Sequence, residues 1–135
     1  AHALYGYDGK CKNIHGHNYK LFVTVVGSPT SDSSNVKFGM VMDFDDLKKI
    51  VKAEIIKEFD HSVIFNKNSP HKKLADDLIK NGHKVVLADY QPTIEEMIID
   101  FANKISSKLP SEIKLHSLKL EETETSYSEW FAADN

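Results

Sequence analysis

No arginine occurs anywhere in the 135 residues; all 17 basic side chains are lysines. An anionic group held by this chain must therefore meet lysine, backbone N–H groups or a cation, never a bidentate guanidinium fork. Cysteine is nearly absent too, Cys11 being the only one. One thiol cannot close an internal disulfide, so a reducing compartment and a cytoplasmic location are expected. No apolar run approaches the roughly 20 residues of a membrane-spanning helix, so no membrane partner is expected. Strong charge of either sign is also missing. A net charge of -3 and a pI near 6.2 give none of the basic excess of a dedicated nucleic-acid binder. The chain starts at Ala1 rather than methionine, so an upstream piece, even a targeting segment, is compatible with it.

What is present is an apolar share of 41%, enough for one domain spanning residues 1–135 with a real core. Residues 18–27 are rich in aromatic and β-branched types and predict a strand; residues 28–35 are polar and predict a loop. Residues 36–43 predict a second strand, the hairpin partner of the first. From Asp45 to Phe59, Leu47, Ile50, Val51 and Ile55 recur at helical spacing, with Asp43 as N-cap. A short helix around 71–80 and a short strand over Lys84–Ala88 follow. Pro92-Thr93 opens a second long helix whose apolar stripe runs from Ile94 to Leu109, with Thr93 and Glu96 in a capping-box pattern. Residues 113–122 predict a strand whose apolar phase shifts near Ser117, the mark of a bulge. A further strand, carrying His2, is expected at the start. The order is an α+β pattern without internal repeat or linker.

The chemistry concentrates in Cys11-Lys12-Asn13-Ile14-His15-Gly16-His17-Asn18-Tyr19. In an extended strand His15 and His17 share a face and can present both rings to one metal ion. If the strand carrying His2 pairs with theirs, His2 supplies a third ligand. Three neutral imidazoles with an open fourth position are the donor set of a catalytic zinc. A chance His-x-His pair on a chain with seven histidines is the competing reading. Cys11 fits either an inert small hydrophobe or, given its polar, lysine-flanked setting, a reactive thiol. Asp60-His61 fits either a helix C-terminus or a proton-transfer pair. Glu121-Glu122-Thr123 fits either a solvated strand end or a carboxylate that accepts two parallel hydrogen bonds from an amidine-like ring edge. His71, His83 and His116 have no partner visible in the sequence.

Together these pieces resemble the 6-pyruvoyl-tetrahydropterin synthase / 6-carboxy-tetrahydropterin synthase family. The likeness runs from Ala1-His2-Ala3-Leu4 through Cys11 with His15-Gly16-His17-Asn18-Tyr19, Gly39–Phe44 with Leu47-Lys48, Asp60-His61 and Pro92-Thr93 with Glu95 to Glu122-Thr123. The resemblance implies the tunnelling fold, a four-stranded antiparallel sheet with two long helices on one face. It also implies assembly into β-barrel homo-oligomers (a hexamer as a dimer of trimers) with active sites between subunits. It implies His2, His15 and His17 as zinc ligands and Cys11, Asp60 and His61 as catalytic groups. Glu122 would anchor the substrate's pterin ring, and Thr93 would also contact the substrate. The Cys-x3-His-Gly-His spacing resembles the 6-carboxy enzymes of queuosine biosynthesis. Those act on 7,8-dihydroneopterin triphosphate and release triphosphate and acetaldehyde; in this chain lysines, Lys10 and Lys12 being the candidates, are expected to meet the triphosphate. A 6-pyruvoyl or other pterin side-chain lyase, or a non-catalytic zinc- or pterin-binding module, are the alternatives. The Asp60–Asn66 segment is a residue longer than the family's common form.

Overall fold

The computed structural model describes residues 1–135. Strand β1 (Lys20–Val26) pairs antiparallel with β4 (Lys114–Thr123), which pairs antiparallel with β5 (Ser126–Phe131), giving a sheet in the order β1-β4-β5. Along β1 exposed and half-buried residues alternate, so Tyr19, Leu21, Val23 and Val25 face inward while Phe22 and Val26 face out. Helix α4 (Ile94–Ser106) lies across β4 and β5 and buries Ile94, Met97, Ile98, Phe101, Ala102 and Ile105 against Leu115, Leu118 and Leu120. Each of these large side chains contributes about 1.5–3 kcal/mol by leaving water.

The first long helix runs from 44 to 59 in three continuous pieces: α1 (Phe44–Val51), a π-helical segment (Lys52–Ile56) and α2 (Lys57–Phe59). Asp43 is its N-cap, accepting from the Asp45 N–H at 2.9 Å. The π segment packs on α4, with Ile55 joining the core. Beyond it, β2 (Val63–Asn66) and β3 (Val85–Ala88) form a separate parallel pair, linked by α3 (His71–Lys80).

Three expectations need correcting. Residues 36–43 are not a strand. Asp32 accepts from Ser34 N–H at 2.9 Å, Asn35 Oδ1 accepts from Lys37 N–H at 2.8 Å, and Gly39 takes φ 83°, so successive turns consume the backbone groups a strand would need. Val36, 91% exposed, has no core to face. The main sheet consequently has three strands, not four, and its third is β5, which the sequence reading missed. The turn joining β4 to β5 has Glu124 and Thr125 at its tip, without the glycine or asparagine that marks a two-residue hairpin. The N-terminal strand is reduced to single bridges from His2 to His15 and to Ile64.

The bulge near Ser117 is present. Thr24 pairs with Ser117 but Val25 with Leu115, so His116 is the extra residue and both Leu115 and Leu118 reach the core. A second bulge lies further along β4, where Glu121 pairs with Tyr127 and Thr123 with Ser126, leaving Glu122 unpaired between them.

Candidate active site

His2 is the pivot. Its backbone exchanges hydrogen bonds with His15 at 2.9 and 3.0 Å, which puts the two side chains on one face. His15, His17 and Tyr19 then continue the inward alternation of β1, so three imidazoles converge with ring centroids 4.5–5.1 Å apart. Glu122 joins them from the second bulge of β4, its Oε1 2.6 Å from His17 Nε2 and 3.7 Å from His2 Nε2. Strand alternation decides which of the paired glutamates does so, since Glu122 continues the inward series of Leu118 and Leu120. Glu121 stays in register and turns to Lys119 at 3.0 Å on the opposite face.

Hydrogen bonds to backbone carbonyls fix the tautomers of two rings. His2 Nδ1 donates to Pro92 O at 2.6 Å and His15 Nδ1 donates to Asn13 O at 2.7 Å. Both Nε2 atoms are then bare lone pairs, and they face each other at 3.0 Å. His17 Nε2 is buried without a directed hydrogen bond, despite its close contact with Glu122. Lone pairs converging at this range repel one another unless a cation lies among them, and outer hydrogen bonds of this kind orient metal ligands. The ligand atoms of His2, His15, His17 and Glu122 all lie within 4.8 Å of one another, so the group is suited to hold a metal ion.

Burial disfavours protonation of His2 and His17. His2, only 2% exposed, is pushed down to about 4 by desolvation, with the neighbouring His15 and His17 adding to the effect against the Pro92 hydrogen bond. His17 is lowered by burial too, against the opposing pull of Glu122. The Tyr19 phenol is raised, first by burial and then by the Glu122 carboxylate.

An apolar cavity of about 300 Å³ adjoins this cluster, with His17, Tyr19, Leu120, Ile55, Phe59 and Phe101 among its walls. Asp60 and His61 sit at its edge. They touch each other, Oδ1 to Nδ1 at 2.9 Å, and their side chains are 60% and 90% exposed. His61 adopts φ 57°, the left-handed region that non-glycine residues rarely occupy, at the turn between α2 and β2.

The remaining expected residues lie elsewhere. Cys11, half-buried in a 3-10 turn (Lys10–Lys12), belongs neither to the ligand cluster nor to the cavity wall. Thr93 is the N-cap of α4, accepting from Glu96 N–H at 3.4 Å; its neighbour Pro92 is the residue that meets His2. Tyr19 was missed by the sequence reading, although its position two residues past His17 puts it on the same face. The Asn13 and Pro92 carbonyls left no trace to find, since every residue carries one.

The chain matches the family model described as 6-pyruvoyl tetrahydropterin synthase over residues 1–132. It is 38% identical over 131 residues to the 6-carboxy-5,6,7,8-tetrahydropterin synthase of Haemophilus influenzae, covering 96% of this chain and 90% of that protein. It is 37% identical over 128 residues to the Aquifex aeolicus protein of the same name, covering 90% and 75%. A crystal structure of an uncharacterized protein from Wolinella succinogenes shares the fold, with a TM-score of 0.75 across 97% of this chain and 91% of that one, at 19% identity.

Proposed function

Because the chain belongs to the 6-pyruvoyl tetrahydropterin synthase family, we propose that it is a zinc-dependent 6-carboxy-5,6,7,8-tetrahydropterin synthase. In this reading 7,8-dihydroneopterin triphosphate and one water give 6-carboxy-5,6,7,8-tetrahydropterin, acetaldehyde and triphosphate. The observation that carries it is the convergence of three imidazoles, two of them oriented by backbone carbonyls, beside an apolar cavity of ring size. Tetrahedral zinc with Zn–N of 2.0–2.1 Å needs ligand nitrogens about 3.3 Å apart, close to the 3.0 Å between His2 and His15 Nε2. His2, His15 and His17 are the proposed ligands. When bound, zinc would act as a Lewis acid on the substrate's side-chain oxygens.

The chain's own groups do the rest. The cavity walls exclude water from the pterin ring, and Glu122 accepts two parallel hydrogen bonds from its 2-amino and N3–H groups. Asp60 orients His61, which exchanges protons with the substrate side chain at the cavity edge. The strained φ of His61 supports a positional demand there. Cys11 is the proposed second proton-transfer group, and Thr93 a substrate contact beyond its capping role. Cys11's place outside the cavity fits the proposal that active sites form between subunits of a barrel-shaped homo-oligomer, a dimer of trimers. The unpaired outer edge of β5, with Tyr127 exposed, favours such strand-to-strand assembly. A place in queuosine synthesis in the cytoplasm follows from the same reading, as does the absence of a nucleic-acid or membrane partner.

Incubating zinc-loaded protein with 7,8-dihydroneopterin triphosphate and reading the products by mass spectrometry tests this. A 6-carboxy product is expected; a 6-pyruvoyl product would move the chain to the sister reaction, and no turnover would sink the enzyme reading.

A further inference from the structure

A second groove meets the cavity at Ile56 and Asp60, which line both. Its volume is about 460 Å³, and four of its other walls are Lys49, Lys52, Lys57 and Lys84. Lys49, Lys52 and Lys57 lie on one face of the helix, which the π segment carries towards Asp60 with Ala53 and Ile56 between them. π-helical turns inside α-helices recur at functional sites. All four lysines are exposed and none is within ion-pair distance of a carboxylate, whereas Lys37, Lys67, Lys72, Lys104 and Lys119 each have one. Lys84 Nζ donates to the carbonyls of Lys57 and Asp60, both at 2.7 Å, which leaves its third N–H free. Asp60 is the only carboxylate in the groove, and it turns to His61.

We propose that this lysine groove is the polyphosphate-binding subsite of the cavity. The eight residue-to-residue steps from Lys49 to Lys57 cover about 12 Å of helix, too long for one phosphate and suited to a run of linked ones. Because the groove shares Ile56 and Asp60 with the cavity, a ligand whose ring fills the cavity would extend its anionic tail past His61 onto the lysines. In a chain without arginine, several ammonium groups in a row replace the guanidinium fork. Lys10 and Lys12, the lysines suggested by their nearness to Cys11 in sequence, lie outside the groove. The inference rests on the pterin-triphosphate reading for the identity of the ring, but not for the anion.

The test is calorimetric titration of the zinc-loaded full chain with inorganic triphosphate at low ionic strength, checking zinc content afterwards. Lys52→Gln and Lys57→Gln should each weaken binding about tenfold, one lost charge-assisted contact apiece. The Lys72→Gln/Lys73→Gln pair on α3 should change it less than about twofold, since neither lines the groove and Lys72 is paired with Asp76. Affinity for phosphate-free 7,8-dihydroneopterin should not move in any of them. Triphosphate binding that is absent, indifferent to Lys52 and Lys57, or lost instead in Lys10→Gln/Lys12→Gln overturns the subsite. Lysine-dependent triphosphate binding in a protein that turns over no pterin would uphold the subsite and sink the proposed reaction. Turnover with KM unchanged in Lys52→Gln/Lys57→Gln would do the reverse.

Discussion

Replacing Glu122 with glutamine separates the two jobs its position allows. Its Oε1 lies 2.6 Å from His17 Nε2 and 3.7 Å from His2 Nε2, close enough to be a fourth metal ligand. It also stands two residues past Leu120, a wall of the cavity, where a carboxylate can meet the edge of a bound ring. One carboxylate cannot do both fully. As ring anchor it accepts two charge-assisted hydrogen bonds, each worth about 1.5–3 kcal/mol. Glutamine keeps one acceptor and turns an N–H2 towards the other ring donor, so a loss of about 3–4 kcal/mol is expected. That corresponds to about 200- to 1,000-fold in kcat/KM. Three imidazoles remain, so zinc affinity should change less than about tenfold. The assay is kcat/KM on the triphosphate substrate together with zinc stoichiometry and a competition measurement of zinc affinity. Under about half an equivalent of zinc, with kcat/KM returning to near wild type once zinc is added, would refute the anchor role and make Glu122 a ligand.

Other outcomes follow from the same geometry. Cys11→Ala should keep a full complement of zinc, since Cys11 is outside the ligand cluster, yet lose about 10²–10⁴-fold in kcat; coordinated loss of zinc would assign the thiol to the metal instead. His61→Asn should fold with stability within about 0.5 kcal/mol, because asparagine tolerates the left-handed conformation, while turnover collapses. Unchanged turnover would remove His61 from the chemistry. Burial and the hydrogen bond to Asp100 raise the Tyr90 phenol above its usual range. The unfolded chain therefore gives up that proton first as pH rises past about 10, and stability falls there. Tyr90→Phe should flatten this alkaline decline in urea melts between about pH 9 and 11; an equal decline in both proteins would contradict it.

The sequence by itself determined the elements with a strong period and the ligands with a fixed offset. The stripe from Ile94 to Ile105 admits only a helix with one apolar face, and the shift between Leu115 and Leu118 admits both in one core only across a bulge. His15 and His17 share a face in any extended backbone. Tertiary structure decided what depends on partners distant in the chain. Val36–Asp43 has strand composition, yet a strand needs a neighbour to pair with, and the local Asp32 and Asn35 turns satisfy the backbone first. β5 forms because β4 offers it an edge, not because its turn announces it. The Pro92 carbonyl that orients His2 from 90 residues away, and the bulge that leaves Glu122 without a partner on β5, are set by register and packing. Register and packing are properties of pairs of segments, so neither segment's composition alone could carry them.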